Sequence, residues 1–167
     1  PCFAVSIALM EKNKMVIGVV YEINQDECFY AWKDGPAFLN DDKITVSNTK
    51  KLADSLLATG FPFDVFDGMD EYIECLRLLM KNSRGLRRIG SAATDLAYVA
   101  CGRFDGFFET HLNPWDVAAG GFIIERAGGK ITDYAGGDNY AFGKGIVAAN
   151  TKIHQQMYET LEKTHKN

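Results

Sequence analysis

Residues 113–121 read Asn-Pro-Trp-Asp-Val-Ala-Ala-Gly-Gly. Asn113 is a good helix N-cap, and Pro114 suits the first helical position, where the N–H it lacks has no partner anyway. Asp116 then falls in the first turn. As a plain first-turn acid it gains under ~1 kcal/mol from the helix dipole. The residues after Val117 are Ala118, Ala119, Gly120 and Gly121, which strip bulk from the second turn. Each glycine in a helix interior costs ~1 kcal/mol relative to alanine. The pattern therefore predicts close packing of this helix on another element, with a carboxylate held open at its start. A hard divalent cation such as magnesium takes oxygen ligands of this kind, usually one or two carboxylates plus substrate phosphate and water.

A second acid, Glu109, ends the aromatic run "FDGFFE" at 104–109. On its own it is a solvated strand-end acid or an acceptor for substrate hydroxyls. Strand-then-helix geometry brings Glu109 and Asp116 to one rim, where open α/β sheets place their ligands. Gly90-Ser91-Ala92-Ala93 opens another helix with small residues, and the free N–H groups of a helix start bind anions or oxygen-rich ligands. His111 lies between the two acids and reads as a neighbour of the rim rather than as a catalytic base; His154 and His165 have no Ser or Cys partner at a recognisable spacing. No Ser-centred elbow or Walker loop occurs, so acyl transfer and P-loop chemistry have no support.

These residues need elements to hold them. "CFAVSIALM" (2–10) and "MVIGVVYEI" (15–23) predict a hairpin, and their unbroken apolarity predicts cover on both faces. "ECFYAWK" (27–33) is a third strand, followed by a turn at 34–41, and "LLATG" (56–60) is a short buried strand ended by Gly60-Phe61-Pro62. Helices are expected over 69–82, 91–101 (Ser91 as N-cap, Gly102 past the end) and 114–127, with a terminal amphipathic helix from 151. Strands at 104–109 and 145–150 complete the alternation, and 133–144 reads as a surface loop.

The 167 residues suit a single domain with a sizeable core. A net charge of −4 argues against a nucleic-acid partner, which requires a surplus of Lys and Arg. Arg84, Arg87 and Arg88 form a local basic cluster that reads as a solvated face or subunit contact before a phosphate site. Cys2, Cys28, Cys75 and Cys101 form no Cys-x-x-Cys pair and read as four buried thiols of a cytoplasmic protein. No apolar run is long enough to cross a membrane, so no membrane partner is expected.

"NPWDVAAGGFIIERAGG" resembles the C-terminal signature of the inositol monophosphatase family, Trp-Asp-x-Ala-Ala-Gly followed by Glu-x-Ala-Gly-Gly. The likeness extends through "PCFAVSIAL", "VIGVVYEINQDECFYAWKDGPAFLND", "RRIGSAATDLAYVACGRFDGFFE" and "GIVAAN". The resemblance implies an α/β (α+β) fold, a layered αβαβα sandwich of which 1–167 forms the C-terminal portion. It also implies a magnesium-dependent phosphomonoesterase, often lithium-inhibited, acting by multi-metal displacement on a small-molecule phosphate ester, and commonly a homodimer. Myo-inositol monophosphate is the leading substrate, and a sugar bisphosphate or adenosine bisphosphate the runner-up. Carried over by position, Asp116 would be a metal ligand that also touches a substrate hydroxyl, and Glu109 would bind hydroxyls. Gly90, Ser91 and Ala92 would contact substrate through the helix start, and Trp115 would support the metal-bearing turn.

The family's Asp-Pro-x-Asp-Gly-Thr metal motif is missing between Pro1 and Asn167. The chain alone is therefore expected to be inactive and to associate through the apolar strand at 2–10. The competing reading is a non-catalytic domain for ligand binding or assembly.

Overall fold

The computed structural model describes residues 2–61 and 68–164. Two five-stranded sheets alternate with helices. The first is an antiparallel meander of β1 (Ala4–Glu11), β2 (Lys14–Glu22), β3 (Glu27–Trp32), β4 (Ala37–Leu39) and β5 (Asp42–Ile44). Its opening hairpin turns at Lys12 and Asn13, whose φ values of 49° and 63° supply the left-handed pair that suits the strand twist. The second sheet is mixed, in the order β7 (Gly85–Arg87), β6 (Leu56–Thr59), β8 (Gly106–Glu109), β10 (Ile146–Asn150), β9 (Gly129–Asp133). Here β6 runs parallel to β7 and β8, while β10 is antiparallel to β8 and β9.

Helices α2 (Ala92–Ala100) and α3 (Pro114–Arg126) fill the space between the sheets, where Leu96 and Ile123 meet Val20 and Phe29 on one side and Phe107 and Ala148 on the other. Helices α1 (Met69–Asn82) and α4 (His154–Glu162) cover the far face of the second sheet, with Leu79 and Met157 in one cluster with Phe108 and Val147. The predicted helices and main strands are all present, with ends trimmed by a few residues; the terminal helix starts at His154. Among the described residues no helix is long and apolar enough to cross a membrane.

The small residues of α3 have the packing role their sequence calls for. A Cβ at Gly120 would sit 2.6 Å from the Cβ of Leu96 on α2, and one at Gly121 would sit 2.6 Å from the Tyr140 ring. From the other side, a Cβ at Gly18 of β2 would lie 2.8 Å from the Ala119 carbonyl oxygen. The helix is thus pressed against α2, a loop aromatic and the first sheet together. Such contact requires bare backbone.

Four expectations need correction. Among the described residues neither β1 nor the outer face of the first sheet is covered: Ile7 is 57 % exposed and Leu9 53 %. Cross-strand pairing puts Val5, Ile7 and Leu9 beside Tyr21, Val19 and Ile17 on one face. Of the four thiols only Cys75 is buried; the other three are partly exposed. Residues 34–41 contain a strand, β4, and residues 133–144 bury Tyr140 and Ala141 rather than lying wholly on the surface. Pro62 and His165 lie outside the described residues.

Candidate functional site

In the second sheet β6 and β8 are parallel neighbours, with Thr59 opposite Phe108, so their carboxyl ends finish side by side. The Thr59 hydroxyl donates to the Phe108 carbonyl at 2.8 Å, and the buried Tyr72 hydroxyl from α1 donates to the Gly60 carbonyl. These bonds lock the end of β6 against the end of β8. Gly60 then follows beside Glu109, and a Cβ there would collide with the Glu109 carboxylate. The carboxylate therefore rests on bare backbone.

The start of α3 forms the rim. Asn113 is extended (φ −108°, ψ 163°), its amide donates to Asp116 Oδ2 at 2.9 Å, and the Asp116 amide donates to the Asn113 carbonyl at 2.9 Å. The loop leading in is tied down as well: the Leu112 amide donates to the Lys144 carbonyl, and Lys144 Nζ donates to Asn113 Oδ1 at 3.2 Å. One oxygen of Asp116 is thus spent on fixing the side chain. At the start of α2, Ser91 caps the helix as predicted, its hydroxyl accepting from the Thr94 amide at 3.4 Å. Gly90 adopts φ +99°, a left-handed conformation, and its missing side chain leaves room for the Arg88 guanidinium, whose nitrogen would lie 2.8 Å from a Cβ.

These elements enclose a cleft of about 530 Å³. Asp116, Glu109, Gly90, Ser91, Ala92 and Trp115, all singled out in the sequence, line it together. His111 also lines it, exposed and with φ 62°, its ring 3.0 Å from the Thr110 hydroxyl. Trp115 is 68 % exposed and lines the mouth of the cleft. At the second helical position its side chain falls on the solvent side of α3. His154 is remote and structural: it is buried, 3.2 Å from both the Thr132 hydroxyl and the Val147 carbonyl, and burial followed by the Lys130 charge lowers its pKa to about 4.

Two cleft residues escaped the sequence reading. Arg88 belongs to the cluster that reads as a solvated face or subunit contact before a phosphate site. It lies in the cleft with its guanidinium 5.6 Å from the centre of the Phe61 ring. Asp95, one turn into α2, is 1 % exposed, yet it borders the same cleft. Its signal was available: it is the one charged residue in "AATDLAYVA", a helix buried on nearly every side. A charge is rarely buried without a partner or a purpose.

The acids sit in contrasting fields. Burial, then the Asp116 charge, pushes the Glu109 carboxyl up to about 7, against a lowering by Arg88. Burial, then the Glu109 charge, pushes Asp95 up to about 8, again opposed by Arg88. Among the described residues no three Asp, Glu, His or Cys side chains gather into a metal cage. The donor set fits a magnesium ion at one corner only: Asp116 is a fixed carboxylate at an open rim, and the remaining oxygens must come from elsewhere.

The sequence pattern of the inositol monophosphatase family matches residues 1–166. The chain is 42 % identical over 161 residues to the putative Nus factor SuhB of Neisseria meningitidis serogroup B, covering 96 % of this chain and 62 % of that protein. It is 40 % identical over 163 residues to the inositol-1-monophosphatase of Mesorhizobium japonicum, covering 98 % of this chain and 61 % of that one. Among solved structures, the extragenic suppressor protein SuhB of Bartonella henselae superposes with a TM-score of 0.92 at 44 % identity, over 96 % of this chain and 62 % of that one. The chain therefore spans less than two thirds of the length of these relatives. Matched from end to end by the family pattern and sharing its fold, the chain belongs to the inositol monophosphatase family.

Proposed function

We propose that the full-length protein is a magnesium-dependent phosphatase of a small polyol phosphate, with myo-inositol monophosphate as the leading substrate. The observation that carries this reading is the convergence of the matched residues on one cleft: a rim carboxylate, a floor carboxylate raised by burial and by the rim charge, and a helix start lined by small residues. Asp116 holds magnesium through its carboxylate and meets a substrate hydroxyl. Magnesium, when bound, supplies positive charge for phosphate oxygens and acidifies water. Glu109 receives substrate hydroxyls at the floor. The backbone of Gly90, Ser91 and Ala92 offers N–H groups to an oxygen-rich ligand. A sugar bisphosphate or adenosine bisphosphate is the alternative substrate. The protein works as a cytoplasmic homodimer, and residues 1–167 alone lack turnover.

A second reading, a non-catalytic domain that assembles with a protein partner, draws support from the bare apolar face of the first sheet and from relatives whose name is Nus factor. Phosphate release from myo-inositol 1-phosphate by the full-length protein, with and without magnesium, separates the two. Magnesium-dependent release that Asp116→Asn abolishes supports the enzyme. No release at any magnesium concentration, with normal folding, overturns it.

A further inference from the structure

Asp95 has no role in the site as assembled so far. Its Oδ1 is buried and has no hydrogen-bond partner among the described residues. Leaving such an atom unsatisfied costs ~1–3 kcal/mol, more if the group is charged. The charged groups that face it are few. From the carboxyl end of β8 comes Glu109, and from the loop before α2 comes Arg88; Asp116, on α3, faces Glu109 in turn. Arg88 forms no salt bridge with either acid among the described residues. It is exposed at the lip, over Phe61, and its charge lowers both acids without pairing with either.

A carboxyl whose neighbour is a carboxylate is satisfied in one simple way: it keeps its proton and donates it as a hydrogen bond. Both acids border the same cleft, and Glu109 rests on bare backbone at Gly60. That seat gives the Glu109 carboxylate room without gripping it.

We propose that Asp95 is a positioning residue, a neutral acid that donates a hydrogen bond to Glu109 and so fixes its carboxylate to receive substrate hydroxyls. No bond is made or broken in the reaction by Asp95; the proton stays between the two acids. The inference rests on the polyol-phosphatase reading for its kinetic consequence, but not for its effect on stability. The upward push on Asp95 by burial and by Glu109 agrees with the neutral form.

The test compares wild type, Asp95→Asn and Asp95→Ala in the full-length protein. Asparagine keeps a donor of the same size; alanine removes it. With myo-inositol 1-phosphate at pH 7, Asp95→Ala should raise KM about tenfold with kcat changed less than about twofold, the pattern of lost ground-state binding. Asp95→Asn should stay within about threefold of wild type in KM. A second readout needs no activity. Asp95 binds its proton up to about pH 8 when folded but only to 3.8 when unfolded, so wild-type stability falls as pH rises through that interval. In metal-free buffer, Asp95→Asn should therefore melt several degrees above wild type at pH 8 and level with it at pH 4. A KM in Asp95→Asn as poor as in Asp95→Ala, or a melting difference independent of pH, overturns the proposal. If wild type hydrolyses no phosphate ester, the enzymatic reading fails while the melting series still decides the state of Asp95.

Discussion

The rim and the floor of the cleft use the same chemical group in opposite ways. At the rim, Asp116 stands at the start of α3 with one oxygen held by the Asn113 amide, partly open to solvent, next to an exposed tryptophan. At the floor, Glu109 and Asp95 are enclosed by strand ends and the α2 helix, and burial raises both. A carboxylate held at an open helix start suits a cation; a carboxyl raised by burial suits hydroxyl groups, since its protonated form donates as well as accepts. The difference lies in the surrounding element. A helix N-terminus favours negative charge, and a crowded sheet end penalises it.

Four substitutions can break or sharpen this contrast. Asp116→Asn in the full-length protein removes charge at the rim without changing size. Turnover should fall at least about 100-fold, equivalent to ~3 kcal/mol at the chemical step. Stability should change by less than about 1 kcal/mol, because an amide oxygen still accepts the Asn113 amide. Near-normal phosphate release at saturating magnesium, with an unchanged melt, leaves Asp116 as a helix-capping acid only.

Gly120→Ala tests the platform that sets the distance from rim to floor. The added Cβ must displace Leu96 or the helix, at ~1–3 kcal/mol. The melting temperature should drop by about 4–8 °C if the cost is near ~2 kcal/mol. A melt equal to wild type would mean that α2 and α3 slide apart without cost.

Glu109→Gln tests the dryness of the floor. The folded protein holds the Glu109 proton to about pH 7, the unfolded chain only to 4.5, so this acid lowers stability as pH rises between those values. In metal-free buffer the variant should melt about 2–4 °C above wild type at pH 8 and equal to it at pH 4. Parallel curves at all pH values would mean that burial does not raise Glu109 in the folded protein.

Gly60→Ala gives the smallest effect. The three atoms nearest the added Cβ all belong to the Glu109 carboxyl group, at the end of its side chain, so folding should survive with a loss below about 1 kcal/mol. The displaced carboxylate should raise KM about tenfold and leave kcat nearly unchanged. An unchanged KM would separate Glu109 from substrate binding altogether.

The rim was easier to read from sequence than the floor, for a physical reason. Capping is local: Asn113, Pro114 and Asp116 fall within four consecutive residues, and their types alone specify a helix start. The small-residue run after them announced close contact, although its partners, Leu96, Tyr140 and Gly18, come from distant segments. The floor is built by tertiary pairing. Asp95 looked like an ordinary helix residue until β8 placed Glu109 beside it. Arg88 belonged to a charge cluster until the left-handed turn at Gly90 set it in the cleft. Strands β4, β5 and β7 are three residues each, and β5 reads Asp-Lys-Ile, so no alternation could develop. β9 begins on Gly129, the second of two consecutive glycines after α3. These strands exist because a neighbouring strand offers them a ladder, which is a property of the fold and not of their own residues.

The chain's two tryptophans fall on opposite sides of this architecture. Trp115 stands at the mouth of the cleft, one residue before the rim acid. Trp32 lies on the open face of the first sheet, stacked on Phe38 with ring centres 5.4 Å apart and planes 4° from parallel. The tryptophan fluorescence of residues 1–167 is therefore two signals from two surfaces. In a Trp32→Phe background, emission from Trp115 reports events at the rim, such as titration with magnesium. In a Trp115→Phe background, emission from Trp32 reports whatever comes to lie on the bare sheet. Without label or ligand design, light alone can distinguish occupancy of the cleft from cover of the sheet.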